Sequence, residues 1–123
     1  MQMLRVLILA IGIYSASPAL AGNVDYFDVG NSGSAVTINW NNGATQKVTL
    51  TASTTLTFSN GYVGTPCTLY LVQDATGLRL VTWPASVKWV TVPTLSTLGN
   101  KRDIIGLMYD GTNWWAWSIG IGF

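Results

Sequence analysis

From Gly22 onward, apolar and polar residues alternate with a period of two, and turn signals break the alternation about every eight to twelve residues. Successive side chains of a strand point to opposite faces, so this pattern writes half-buried strands and calls for no helix. The first clear strand is Ala35 to Trp40, with Val36, Ile38 and Trp40 on one face. Asn42-Gly43 then reads as a tight hairpin turn, since both residues tolerate positive φ. Gln46 to Thr51 returns with Val48 and Leu50 inward, and Thr54 to Ser59 repeats the scheme with Leu56 and Phe58. Thr49, Thr51, Thr55 and Thr57 form the polar face.

Asn60-Gly61 marks the next reversal, and Thr68 to Gln73 is apolar on both faces, which predicts a central strand. Asp74-Ala75-Thr76-Gly77 reads as the turn of a second hairpin into Leu78 to Trp83, ended by Pro84. Val87 to Val90 is a short edge piece, and Pro93 to Asn100 a loop. A last hairpin runs from Asp103 to Tyr109, turns at Asp110-Gly111-Thr112 and returns from Asn113 to Ile119. The expected fold is all-β: an antiparallel β-sandwich, jelly-roll-like, of about eight short strands. Residues 23–123 form one such domain, preceded by an N-terminal hydrophobic, helical segment.

Composition narrows the chemistry. The chain has no histidine, no glutamate and a single cysteine, Cys67, so Cys–His catalysis, zinc binding and an internal disulfide are excluded. The acids are Asp25, Asp28, Asp74, Asp103 and Asp110, and a base titrating near neutral pH is missing. Asp103 beside Lys101-Arg102 is the nearest thing to a polar cluster and reads as a solvated loop. No enzyme, cofactor or metal is expected. The net charge is +1 and the basic residues are scattered, so no nucleic-acid partner is expected either. Six Trp, five Tyr and three Phe with only 9% charged residues argue against disorder.

Residues 1–22 differ from the rest: Arg5, an apolar run from Val6 to Tyr14, then Ser15-Ala16-Ser17-Pro18 and Ala19-Leu20-Ala21. That is the pattern of a secretory signal peptide cleaved after Ala21. The alternative is a retained anchor or docking arm that touches a membrane or a neighbouring subunit. The run is short of the about 20 residues a bilayer span needs.

The last strand is apolar or aromatic on both faces. Trp115, Trp117 and Ile119 point one way, Trp114 and Ala116 the other. One sheet face of so small a domain cannot absorb all three tryptophans, so some of them meet another subunit, lie under a loop or stack on sugars. The candidate interface or receptor-binding residues are therefore Trp114, Trp115, Trp117, Tyr109 and the terminal Phe123.

Several blocks carry a resemblance: Thr37-Ile38-Asn39-Trp40-Asn41-Asn42-Gly43, Leu71-Val72-Gln73-Asp74-Ala75-Thr76-Gly77, Trp83-Pro84-Ala85-Ser86-Val87-Lys88-Trp89 and Tyr109-Asp110-Gly111-Thr112-Asn113-Trp114. From Val36 to Phe123, and more loosely from Asn23, the chain resembles a β-rich domain of bacteriophage virion proteins, often found at the C-terminal end of tail fibres and related appendages. The resemblance implies a structural or adhesive head without catalytic residues, usually in homotrimers. The expected function is thus a structural protein of the virion surface (minor capsid, decoration, spike or fibre-head protein). Its partners would be further copies of itself, other virion proteins and a host glycan or receptor. Two other classes stay open: a secreted filament or surface-layer subunit, and a carbohydrate-binding module stacking sugars on Trp114, Trp117 or Tyr109.

Overall fold

A computed structural model describes residues 26–123. The expected leader or anchor, residues 1–22, lies outside the described residues. The chain runs β1 (Tyr26–Asn31), β2 (Ala35–Asn39), a 3-10 turn (Trp40–Asn42), β3 (Thr45–Leu50), β4 (Thr54–Ser59), β5 (Pro66–Gln73), β6 (Val81–Thr82), β7 (Val87–Trp89), β8 (Arg102–Tyr109) and β9 (Trp114–Gly120). The all-β expectation holds.

The jelly-roll expectation does not. From β1 to β7 successive strands alternate between two sheets, one ordered β1-β3-β5-β8-β9-β7 and one ordered β2-β4-β6. Within each sheet a strand pairs in parallel with the strand one coil later: Tyr26 lies beside Thr45, Thr45 beside Thr68, and Val36 beside Leu56. The result is a β-solenoid-like stack of three coils with a period of about 20 residues. Antiparallel pairing enters only after the third coil, where β8 joins β5 and β9 folds back on β8.

The two inner hairpins are therefore corrected. Asn42-Gly43 does not fold β2 back on β3. Trp40–Asn42 make a 3-10 turn, with the Asn39 side chain accepting from the Asn41 N–H, and the chain passes to the other sheet. Asp74 to Gly77 is a turn, with the Gly77 N–H donating to the Asp74 carbonyl at 3.2 Å, but β5 and β6 also lie in different sheets. Period-two alternation fixes which side chains face inward; it is silent on which strand lies next door. The third hairpin, turning at Asp110-Gly111-Thr112, forms as expected. β7 is an edge strand and β5 is central, also as expected.

The inward residues are those that alternation picks out: Ile38 and Leu56 from one sheet, Val48, Leu50, Leu69, Leu71, Ile105 and Leu107 from the other, all at most 2% exposed. Two glutamines share this interior. Gln46 donates to the Asn39 and Gly43 carbonyls at 2.8 and 2.9 Å. Gln73 donates to the Arg79 and Ser96 carbonyls and accepts from the Arg79 N–H. Each stitches a corner whose backbone would otherwise be buried without partners.

Where the shorter sheet ends, aromatic rings fill the space. Trp40, Phe58, Trp83, Trp89, Tyr109 and Trp114 form a chain of contacts with centroids 4.6 to 6.4 Å apart. Asp103, expected in a solvated loop, is instead 3% exposed on β8. Its carboxylate accepts the Ser96 and Gly122 N–H groups at 2.7 and 2.8 Å.

Candidate functional site

β8 and β9 divide the candidate residues by face. Trp114 points into the core at 4% exposure, which corrects its place among the surface candidates. Its ring stacks on Tyr109 at 4.6 Å and 28°, and Tyr109, half-buried, donates its hydroxyl to the Gly111 carbonyl. Trp115, Trp117, Ile119 and Phe123 stand on the outside, 45 to 64% exposed.

This outer face is held in place. The Trp115 indole N–H donates to Asp110 Oδ2 at 2.9 Å, while Asp110 Oδ1 accepts the Thr112 and Asn113 N–H groups. Trp117 sits opposite Gly106, where a Cβ would overlap its indole, so the ring lies against the bare backbone of β8. Phe123 covers Gly120 in the same manner. Its backbone is tied to Arg102 by N–H···O bonds of 2.9 and 3.1 Å. Across the sheet the face becomes polar: Arg102 lies over the Tyr70 ring at 5.6 Å, and Lys47 pairs with Asp28 at 3.2 Å. Lys88 of β7 is paired opposite Trp115.

The Asn113 N–H, then the Trp115 indole and the Thr112 N–H, hold the Asp110 carboxyl below its ordinary value. A depressed folded-state value means that this contribution is present above the unfolded value near 3.8 and is lost as pH falls through the folded one. The Trp115 indole N–H resonance is therefore expected to move as Asp110 takes up its proton, with a midpoint under 3.8. An NMR titration checks this; a midpoint at or above 3.8 contradicts the lock.

The surface offers contact and little chemistry. Burial pushes the Cys67 thiol up to about 11, so it stays protonated at neutral pH. Among the described residues no three metal-ligating side chains come together.

A second apolar region went unread in the sequence. Leu78, Leu80, Val92 and Leu98 are 62 to 72% exposed, around a cleft of about 350 Å³ lined by Leu80, Trp83, Val92 and Leu95. The alternation from Leu78 to Trp83 reads as a full strand, but only Val81–Thr82 pair: Val81 and Trp83 pack on the core, and Leu78 and Leu80 face solvent.

A family model described as "Putative phage tail fibre C-terminal domain" matches residues 28–114, from β1 to the first residue of β9. The chain belongs to this family. Tail-fibre-type β domains are structural parts of the phage particle, and this chain is accordingly a virion-associated structural protein. The match takes in Tyr109 and Trp114 and stops before Trp115, Trp117 and Phe123. Neither the curated proteins nor the solved structures give a match.

Proposed function

We propose that this tail-fibre-type domain sits on the outside of the phage particle and works by subunit packing through the outer face of β9. Residues 23–123 act as one packing unit. The observation that carries the reading is the pair Trp115 and Trp117, 50% and 45% exposed yet immobilised by Asp110 and by contact with Gly106. Exposed aromatics that need no ordering on contact are what interface hot spots consist of. A homotrimer is the expected assembly, with other virion proteins as neighbours. Residues 1–22 serve as an export leader or as a docking arm, with membrane contact in the second case. A decoration or spike role follows from the same packing, and host attachment through a surface glycan or receptor would use whatever aromatic surface the assembly leaves open.

Native mass spectrometry of the purified chain tests the packing. The wild type is expected as an oligomer, and Trp115→Ser with Trp117→Ser as a folded monomer. A wild-type monomer, or a double variant that keeps the oligomer, overturns it.

A further inference from the structure

The apolar cleft around Leu80 and the outer face of β9 lie on different sheets. The cleft borders β6 of the three-stranded sheet, whereas β9 belongs to the six-stranded one. Leu80, Trp83, Val92 and Leu95 wall the cleft, and Leu78 and Leu98 beside it are exposed. Its volume of about 350 Å³ admits an aromatic side chain.

Leu78 shows that this surface is built rather than left over. Its φ of 63° is left-handed, a conformation that suits Gly or Asn and is uncommon for a bulky side chain. Its N–H donates to the Thr97 carbonyl at 2.7 Å, and the next N–H, of Arg79, donates to Gln73 Oε1, so the backbone is held there. Strain is thus borne to keep an apolar side chain in water, where a covering surface would bury it. Charge narrows what can cover it. Arg79 is the charged side chain lining the cleft, and its guanidinium is already taken by Asp74 at 2.9 and 3.2 Å. An anionic occupant would have to break that pair; an apolar one would not.

A threefold contact joins two different surfaces of a chain, so in a homotrimer the β9 face needs a counterpart elsewhere on the neighbouring copy. The two patches match: each offers on the order of 500 Å² of apolar surface, and together they reach the about 1,000 Å² that a specific interface needs. We propose that the Leu80–Leu95 cleft receives the Trp115 and Trp117 face of a second copy, so that β9 of each chain seats in the cleft of the next and the assembly closes as a ring. The inference rests on the reading of β9 as a packing face and adds the surface that receives it.

Mixing two broken chains tests it, read by native mass spectrometry. Trp115→Ser with Trp117→Ser removes the β9 face; Leu80→Ser with Val92→Ser, both more than 60% exposed and so tolerated by the fold, removes the cleft. Each double variant alone is expected as a folded monomer. An equimolar mixture is expected to give a dimer of one of each, because the intact cleft of the first meets the intact β9 of the second. If the cleft variant keeps the oligomer while the β9 variant loses it, this inference falls and the β9 reading stands. If the β9 variant keeps the oligomer, both fall. A mixture that stays monomeric even at the highest soluble concentration also overturns the inference. Cross-linking needs no broken surface: Ile119→Cys and Val92→Cys chains, mixed and treated with a short bismaleimide, are expected to join as unlike pairs, with Cys67 buried and protonated. Like pairs of Ile119→Cys chains would instead show β9 packing on itself and contradict the ring.

Discussion

Trp114→Ala is expected to cost about 3–5 kcal/mol of folding stability, while Trp117→Ala, three residues along the same strand, costs about 1 kcal/mol or less. The difference follows from the face each ring occupies. Trp114 is 4% exposed and touches Tyr109, Phe58 and Trp40 with ring centroids at 4.6, 5.2 and 5.5 Å. Gly61 is bare so that the rings can approach, since a Cβ there would come within 2.6 Å of both Trp114 and Tyr109. Removing the indole opens a cavity among rings that are themselves held by the sheet and cannot collapse into it. Small domains hold only about 5–15 kcal/mol in total, so the Trp114 variant falls close to the folding threshold. Trp117 packs on one side only and is 45% exposed. Urea unfolding of the two variants at equal m-values checks the contrast; equal losses would put both rings in one environment and contradict the orientation of β9.

Asp103→Ala carries the second large effect, about 2–3 kcal/mol. The carboxylate lies on the inner face of β8, in register with Leu71, and reaches the 93–100 loop and the C-terminal tail. Its Oδ2 takes the Ser96 N–H at 2.7 Å and its Oδ1 the Gly122 N–H at 2.8 Å. Charge-assisted bonds of this kind are among the stronger ones, and alanine would leave the part-buried Ser96 N–H without its acceptor, while the Gly122 N–H keeps the Arg102 carbonyl at 3.1 Å. Asp103→Asn keeps one acceptor but turns an amide N–H toward the other donor, so it is expected to lose about half as much. Hydrogen exchange locates the damage: amides of the 93–100 loop and of the 121–123 tail lose protection, whereas those of β3 and β5 keep theirs. Uniform loss of protection across both sheets would contradict the clamp.

Much of this architecture is legible in the sequence, and the part that is not has a physical reason. The inward sets of β2, β3 and β4 follow from alternation alone, because burial on one face is a local property of the strand. The Asp110-Gly111 hairpin is legible too, since both its strands are apolar enough to pair side by side. Asn42-Gly43 and Asp74 to Gly77 mislead because the same residues suit a hairpin and a corner, and only the distant partner strand decides between them. At the site, alternation separates Trp114 from Trp115 and Trp117 but not inside from outside. That is set by Trp40, Phe58 and Gly61, which come from other coils.

Antibody raised against residues 26–123, applied with gold label to intact, purified phage particles, tests the central claim most directly. Surface packing in an assembled appendage or decoration predicts label on the outside of unopened particles, at repeated positions, with the chain present in the particle's protein profile. Protein found in the culture fluid and absent from washed particles would contradict it.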